Sequence, residues 1–160
     1  MNGHIEGFLS VSYSTYATTA LMTDMWVVNQ GFTYHIDDER SIYIPAGYLT
    51  DGASVPRWVW GVIPPWGDHG VAAVVHDYLC ERLQVWKNGA LVKISREECN
   101  DIFYECLLVS GVGKIKAKAM YYAVKAYSHA LAIIYNTYDP KKHDIEKYLV
   151  EQHKLKSIWL

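Results

Sequence analysis

Ser41-Ile42-Tyr43-Ile44 returns an isoleucine to the same side at every second residue, the period of a half-buried strand. From Asp68 onward the repeat lengthens, and Val71, Val75, Tyr78 and Leu79 fall on one helical stripe while His69, Ala73, His76 and Cys80 fall on another. The changeover lies in Thr50-Asp51-Gly52-Ala53-Ser54-Val55-Pro56-Arg57 and the Trp-, Gly- and Pro-rich run behind it, with Trp58, Trp60, Pro64, Pro65 and Trp66. A chain that switches period once, from strands to helices, predicts an α+β fold.

Working outward, Phe8 to Tyr13 alternates like a strand, and Met25–Asn29 with Phe32–Ile36, split by Gln30-Gly31, reads as a hairpin. Asp37-Asp38-Glu39-Arg40 is a polar turn into the strand at 41–44. On the helical side, Lys87-Asn88-Gly89 is a turn, and Ser95-Arg96-Glu97-Glu98 matches a capping box that starts a second helix. Its apolar stripe is Cys99, Ile102, Phe103, Cys106 and Leu107, and Gly111 stops it. A third helix runs from about Lys114 to Tyr138 with Ala117, Met120, Tyr121 and Val124 inward; Pro140 ends it, and 144–156 forms a short charged helix. The expectation is one domain over 1–160: strands about 5–50, a loop at 51–67, helices about 68–156. A small N-terminal antiparallel sheet would pack against a C-terminal bundle of three to four helices.

Composition fits a chain that buries a core: 51% of its 160 residues are hydrophobic and 20% charged. The net charge of −2 hides a gradient. Residues 1–60 hold two basic and six acidic side chains, 61–112 four and seven, and 113–160 nine and four. The basic C-terminal third has lysines at helical spacing and no arginine, which reads as a solvated face rather than a nucleic-acid surface. Three cysteines, Cys80, Cys99 and Cys106, with no basic-then-apolar leader, suit a reducing compartment and free thiols. The longest apolar stretch, Ala119 to Tyr135, is broken by Lys125, Ser128 and His129, so no membrane span is expected.

Three polar blocks exceed what the scaffold needs: Thr50 to Arg57, His76-Asp77-Tyr78-Leu79, and Arg96 with Asp101. Asp51 follows a strand end and precedes Gly52, where a carboxylate can project into a cleft; an Asp-Gly turn in which Asp51 bonds its own backbone is the plainer alternative. Ser54 is a candidate nucleophile near His76, but Ser-Val-Pro is also a helix N-cap, and no Gly-x-Ser-x-Gly elbow surrounds it. His76 and Asp77 point about 100° apart on a helix, so one can bind while the other orients. His69, His76 and Cys80 share a face, and with Asp51 or Asp101 they could form a mixed divalent-metal site; Asp51, His76 and Asp101 are the candidate ligands. Asp101 lies too far into its helix for a capping role. It is either one half of an ion pair with Arg57 or Arg96 or a catalytic carboxylate.

Taken together and in order, Ile44 to Arg57, Ala72-Ala73 to Leu79, Ser95-Arg96 to Asp101-Ile102-Phe103, and Tyr121-Tyr122-Ala123-Val124 resemble an uncharacterised family of small proteins from tailed bacteriophages and prophages, a domain of unknown function. The resemblance spans about residues 42–127. It implies a phage or prophage origin and a shared site of Asp51, Ser54, Arg57, His76, Asp77, Arg96 and Asp101, and it carries no activity with it.

Two readings follow, with a third beside them. In the first the protein is a hydrolase, metal-assisted or not: Asp51, His76 and Asp101 bind a metal or activate water, Asp77 orients His76, and Arg57 or Arg96 stabilises an oxyanion. In the second it is a non-catalytic virion, tail or assembly protein whose polar blocks form a buried network. The third is an inhibitor or sequestering protein acting on a host factor. All three place it in the host cytoplasm or in the virion, with phage or host proteins as partners.

Overall fold

The structure, a computed structural model, describes residues 3–52, 66–134 and 139–158. Its strands form two antiparallel sheets. The larger has the order β1 (His4–Glu6), β4 (Phe32–His35), β5 (Arg40–Ile44), β7 (Gln84–Lys87), β8 (Ala90–Lys93). The smaller has the order β2 (Val11–Tyr13), β3 (Trp26–Val28), β6 (Leu49–Thr50). The helices are α1 (Thr15–Leu21), α2 (Gly70–Arg82), α3 (Arg96–Val109), α4 (Lys114–Ile134) and α5 (Pro140–Ile158). The α+β class holds, with antiparallel sheet toward the N-terminus and helices mostly toward the C-terminus.

The strand period is visible in β5, where Ile42 and Ile44 are buried and Tyr43 is exposed. Phe32, Tyr34, Ile42, Ile44 and Val85 form the inner face of the large sheet and share one core with Ala72, Val75 and Leu79 of α2 and with Cys99, Ile102, Phe103 and Cys106 of α3. The outer face carries Tyr43, Trp86 and Leu91, which remain exposed. A smaller cluster of Ala17, Met25, Leu49 and Ile145 joins α1, the small sheet and α5.

Four expectations need correcting. The segments on either side of Gln30-Gly31 do not pair as a hairpin: β3 belongs to the small sheet and β4 to the large one. Asn29 is held back by Ser10, whose carbonyl accepts from its backbone N–H at 2.8 Å and whose hydroxyl accepts from its side chain at 3.1 Å. The chain then crosses to the other sheet at Gly31, where a Cβ would collide with the Tyr43 hydroxyl. Second, strands are not confined to the first fifty residues. Asn88 (φ 48°) and Gly89 (φ 81°) make a two-residue left-handed turn, and β7 and β8 extend the large sheet beyond β5.

Third, α1 interrupts the N-terminal strands; its cap is Ser14, whose Oγ accepts from the Ala17 N–H at 3.2 Å. Fourth, the last helix starts at Pro140 rather than 144. Proline suits a first helical position, and the Asp139 carboxylate accepts from the Lys141 and Lys142 N–H groups at 2.9 and 3.3 Å. The capping box at Ser95 and Glu98 forms as expected, and Gly111 adopts φ 88° just past α3.

Helix α5 lies against the small sheet by a close backbone approach. Gly47 has φ +95°, and a Cβ there would lie 2.5 Å from the Val150 nitrogen. Together β6, α2 and α5 enclose the polar side chains described next.

Candidate functional site

The chain leaves β6 at Thr50, which is fully buried. Its hydroxyl donates to Asp77 Oδ2 at 2.8 Å and accepts from the Gly52 N–H at 3.1 Å. Gly52 takes φ 77°, which turns the chain immediately after Asp51. Asp51 follows directly, and its charge acts on Asp77. Burial, and then the negative charge of Asp51, hold the Asp77 carboxyl well above the usual carboxylate range; the Lys142 charge and the Thr50 hydrogen bond oppose them without prevailing.

One turn further along α2, Glu81 shares this face, four residues from Asp77. Its Oε1 accepts from the Tyr48 hydroxyl at 3.2 Å and from Lys142 Nζ, and its Oε2 accepts from Arg82 Nη1 at 3.3 Å. Helix α5 supplies the counterpart. Lys142 Nζ lies 3.4 Å from Glu146 Oε1, Arg82 Nη2 lies 3.7 Å from Glu146 Oε2, and Glu146 Oε1 also accepts from the Leu49 N–H at 3.3 Å. The Arg82 guanidinium sits 3.9 Å from the Tyr78 ring centroid, a cation–π contact. Burial pushes Glu146 up to about 7, although Lys142 pulls the other way. Burial works against the Lys142 ammonium, yet the charges of Glu81 and Glu146 hold it above its ordinary value.

His76 and Asp77 do diverge. While Asp77 faces β6, His76 faces α3: its Nε2 is 2.9 Å from Asn100 Oδ1, and its ring centroid is 5.0 Å from that of Phe103. Cys80 Sγ lies 3.4 Å from His76 Nε2. Burial alone would lower the imidazole pKa, but the contacts with Cys80 and Asn100 raise it above its usual value. Asp101 lies elsewhere, on the exposed side of α3, where it accepts from the Tyr121 hydroxyl at 2.9 Å. Asp101 thus meets a tyrosine of α4.

Asp51, His76 and Asp101 are therefore not gathered at one point. Among the described residues no group of three His, Cys, Asp or Glu side chains could hold a metal ion. Arg96 is half-buried at the first turn of α3, where its charge acts on Cys99. Ser54 and Arg57 lie outside the described residues, as does any pairing of Arg57 with Asp101. Among the described candidate residues, Asp51 acts on Asp77 through its charge.

Sequence reasoning passed over Tyr48, Glu81, Arg82, Lys142 and Glu146. The available signals were the four-residue spacings Asp77–Glu81, Tyr78–Arg82 and Lys142–Glu146, which look the same on a solvated face as on a buried one. No helix is long and apolar enough to cross a membrane among the described residues.

A family model described as a protein of unknown function (DUF1353) matches residues 26–124. That span contains β3 to β8, α2, α3 and the first half of α4, and leaves α5 outside. The chain is 40% identical over 81 residues to the uncharacterized protein y4iH of Sinorhizobium fredii (strain NBRC 101917 / NGR234), covering 49% of this chain and 30% of that one. It is 36% identical over 98 residues to the uncharacterized protein y4jT of the same strain, covering 59% and 26%. The chain thus spans under a third of the length of these curated relatives. No solved structure matches.

Proposed function

We propose that this chain, which belongs to the DUF1353 family, is a hydrolase whose acid–base pair is Asp77 and Asp51. What supports the reading is the Asp77 carboxyl, held by the Thr50 hydroxyl at the end of β6, where burial and then the Asp51 charge favour its protonated form. In a hydrolytic step the Asp51 carboxylate takes a proton from water as that water attacks the scissile centre, and protonated Asp77 delivers its own to the leaving group. The Thr50 hydroxyl holds the Asp77 carboxyl through Oδ2. Lys142 and Glu146 on α5, paired with Glu81 and Arg82 on α2, hold α5 beside this site.

A panel of chromogenic esters, glycosides and phosphoesters tests this, with Asp77→Asn and Asp51→Asn assayed beside wild type after their folding is checked by circular dichroism. The expected result is hydrolysis of one class, lowered about 10²- to 10⁴-fold in each variant. Turnover that survives in both variants sinks the assignment.

A second reading has its own support. Arg82 and Lys142 are both engaged by carboxylates, as in a network that locks an element in place rather than one waiting for substrate. The outer face of the large sheet meanwhile exposes Tyr43, Trp86 and Leu91, side chains suited to a protein partner. This supports a non-catalytic assembly or virion component, in keeping with the phage resemblance of the motifs. Asp77→Asn separates the two readings: loss of turnover with the fold intact favours the enzyme, whereas unfolding with no turnover in wild type favours the structural part.

A further inference from the structure

The small sheet presents an aromatic row that the proposed chemistry leaves unused. Its register pairs Tyr13 of β2 with Trp26 of β3, and Trp26 in turn with Thr50 of β6. Residues paired across antiparallel strands point to the same face, so the two rings stand in line with the Thr50 side chain, whose hydroxyl holds Asp77. Burial deepens along that line: Tyr13 is half exposed, Trp26 partly buried and Thr50 fully buried. The rings meet edge to face. Tyr13 and Trp26 have centroids 5.7 Å apart at 74°, and Trp66, just ahead of α2, meets Trp26 at 5.4 Å and 77°. At the outer end the Tyr13 hydroxyl donates to the exposed Asp24 carboxylate at 3.2 Å. Two positions along the same face, Val11 and Val28 pack into the main core. Core packing thus accounts for the valine pair but not for a half-exposed tyrosine in line with Asp77.

We infer that Tyr13 and Trp26 form a binding subsite for a neutral, β-1,4-linked sugar chain, and that the substrate at Asp77 is therefore a glycan; the second statement rests on the hydrolase reading, the first does not. A pyranose ring is recognised by an aromatic surface for its C–H groups and by polar edges for its hydroxyls. Tyr13 offers the surface, and its hydroxyl with the Asp24 carboxylate offers the edge. A row that crosses the strands is straight, as an extended β-1,4 chain is, and from β2 to β6 it covers two strand spacings, about 10 Å. Charge narrows the class. Asp24 lies in a stretch, residues 1–60, with two basic and six acidic side chains, which disfavours nucleotides and anionic polysaccharides. A chain laid on Tyr13 and Trp26 runs toward Asp77. There the Asp77 proton passes to the glycosidic oxygen as its bond to the anomeric carbon breaks, water oxygen bonds to that carbon, and the Asp51 carboxylate takes the water proton. One glycosidic bond and one water become two sugar hydroxyl ends, and return of the proton from Asp51 to Asp77 through solvent resets the pair.

The test titrates the intact chain with cellotetraose and with chitotetraose, followed by calorimetry and by tryptophan fluorescence, while chromatography of the sugars reads cleavage separately. The expected result is saturable binding of at least one of them, weakened about tenfold in Tyr13→Ala and less in Tyr13→Phe, which keeps the ring. Tyr13 is exposed on an edge strand, so both variants should melt as wild type does. Trp86→Ala, on the outer face of the large sheet, should bind as wild type. No saturable binding of either sugar, binding unmoved by Tyr13→Ala, or binding lost in Trp86→Ala would each overturn the subsite. Binding through Tyr13 without cleavage upholds the subsite and removes the hydrolase reading. Cleavage of a chromogenic ester or phosphoester without sugar binding does the reverse.

Discussion

The two faces of α2 solve the same problem, a polar side chain inside a small protein, in opposite ways. Toward α3, His76 meets Asn100 and Cys80 in single side-chain contacts embedded in the main apolar core. Toward β6 and α5, Asp77 meets the Thr50 hydroxyl, and Glu81 and Arg82 enter a network of charges closed by Lys142 and Glu146. On the first face each contact is worth about a neutral hydrogen bond, roughly 1 kcal/mol net. On the second, desolvation and attraction are both several times larger, so removing one charge strands the others. Sensitivity to mutation and to pH should therefore be concentrated on the α5 side.

The strongest way to break this contrast is Lys142→Met. It leaves Glu81 and Glu146 with Arg82 in place of two cations and should cost about 3–5 kcal/mol in urea denaturation. A loss below about 1 kcal/mol would mean that the charged face is no more demanding than the one toward α3.

Next comes pH. Glu146 is pushed up to about 7 in the folded protein, against an ordinary value near 4.5. A carboxyl with a raised folded value binds its proton more tightly when folded, so its contribution is fully present below pH about 4.5 and is lost as pH rises through about 7. Asp77, also raised, acts with the same sign. Glu146→Gln should remove a pH-dependent difference of about 2–3 kcal/mol between pH 4.5 and 8, seen as a flatter stability profile than wild type. Parallel wild-type and variant profiles would place the titration elsewhere.

On the α3 face, Asn100→Ala takes the acceptor from His76 Nε2, one of the contacts that raise the imidazole pKa, and should cost about 1–2 kcal/mol, with the larger loss below pH 6 than at pH 8. An equal loss at both pH values would mean that Asn100 has no hold on the imidazole charge. The smallest effect belongs to Asp101→Asn on the exposed side of α3, within about 0.5 kcal/mol of wild type by thermal melting and without effect on any hydrolysis that Asp77→Asn abolishes. A large loss of turnover would return Asp101 to the site.

What was legible in the sequence was local. The capping box at Ser95, the stop at Gly111 and the buried stripe of α3 rest on interactions within a few residues, and all three appear. The turn at Asn88-Gly89 was legible too. Its flanking strands were not, because Gln84–Lys87 and Ala90–Lys93 are short, and β8 is exposed throughout. The false hairpin at Gln30-Gly31 had the right local signals, but its fate was decided by Ser10 holding Asn29 from nineteen residues away.

The same divide runs through the site. Asp51 and Asp77 stood out because one borders a glycine turn and the other sits in an apolar helix. Glu81, Lys142 and Glu146 offered no such local signal, since their burial depends on where α5 comes to rest. Asp101 drew attention for lack of a local role, and its partner, Tyr121, lies on the next helix.

The seat of α5 also bears on the order of folding. The bond from the Leu49 N–H to Glu146 closes a separation of 97 residues, and Gly47 lets the two backbones meet there. The entropy of closing so long a loop grows only logarithmically with its length, so the contact is thermodynamically tolerable, yet it is kinetically remote. The hairpin of β7 and β8 and the α2–α3 pair close over far shorter distances and can assemble before α5 arrives. The charged clasp then becomes the last step of assembly, and the time a refolding chain spends without it is the time its buried carboxylates stand open to water.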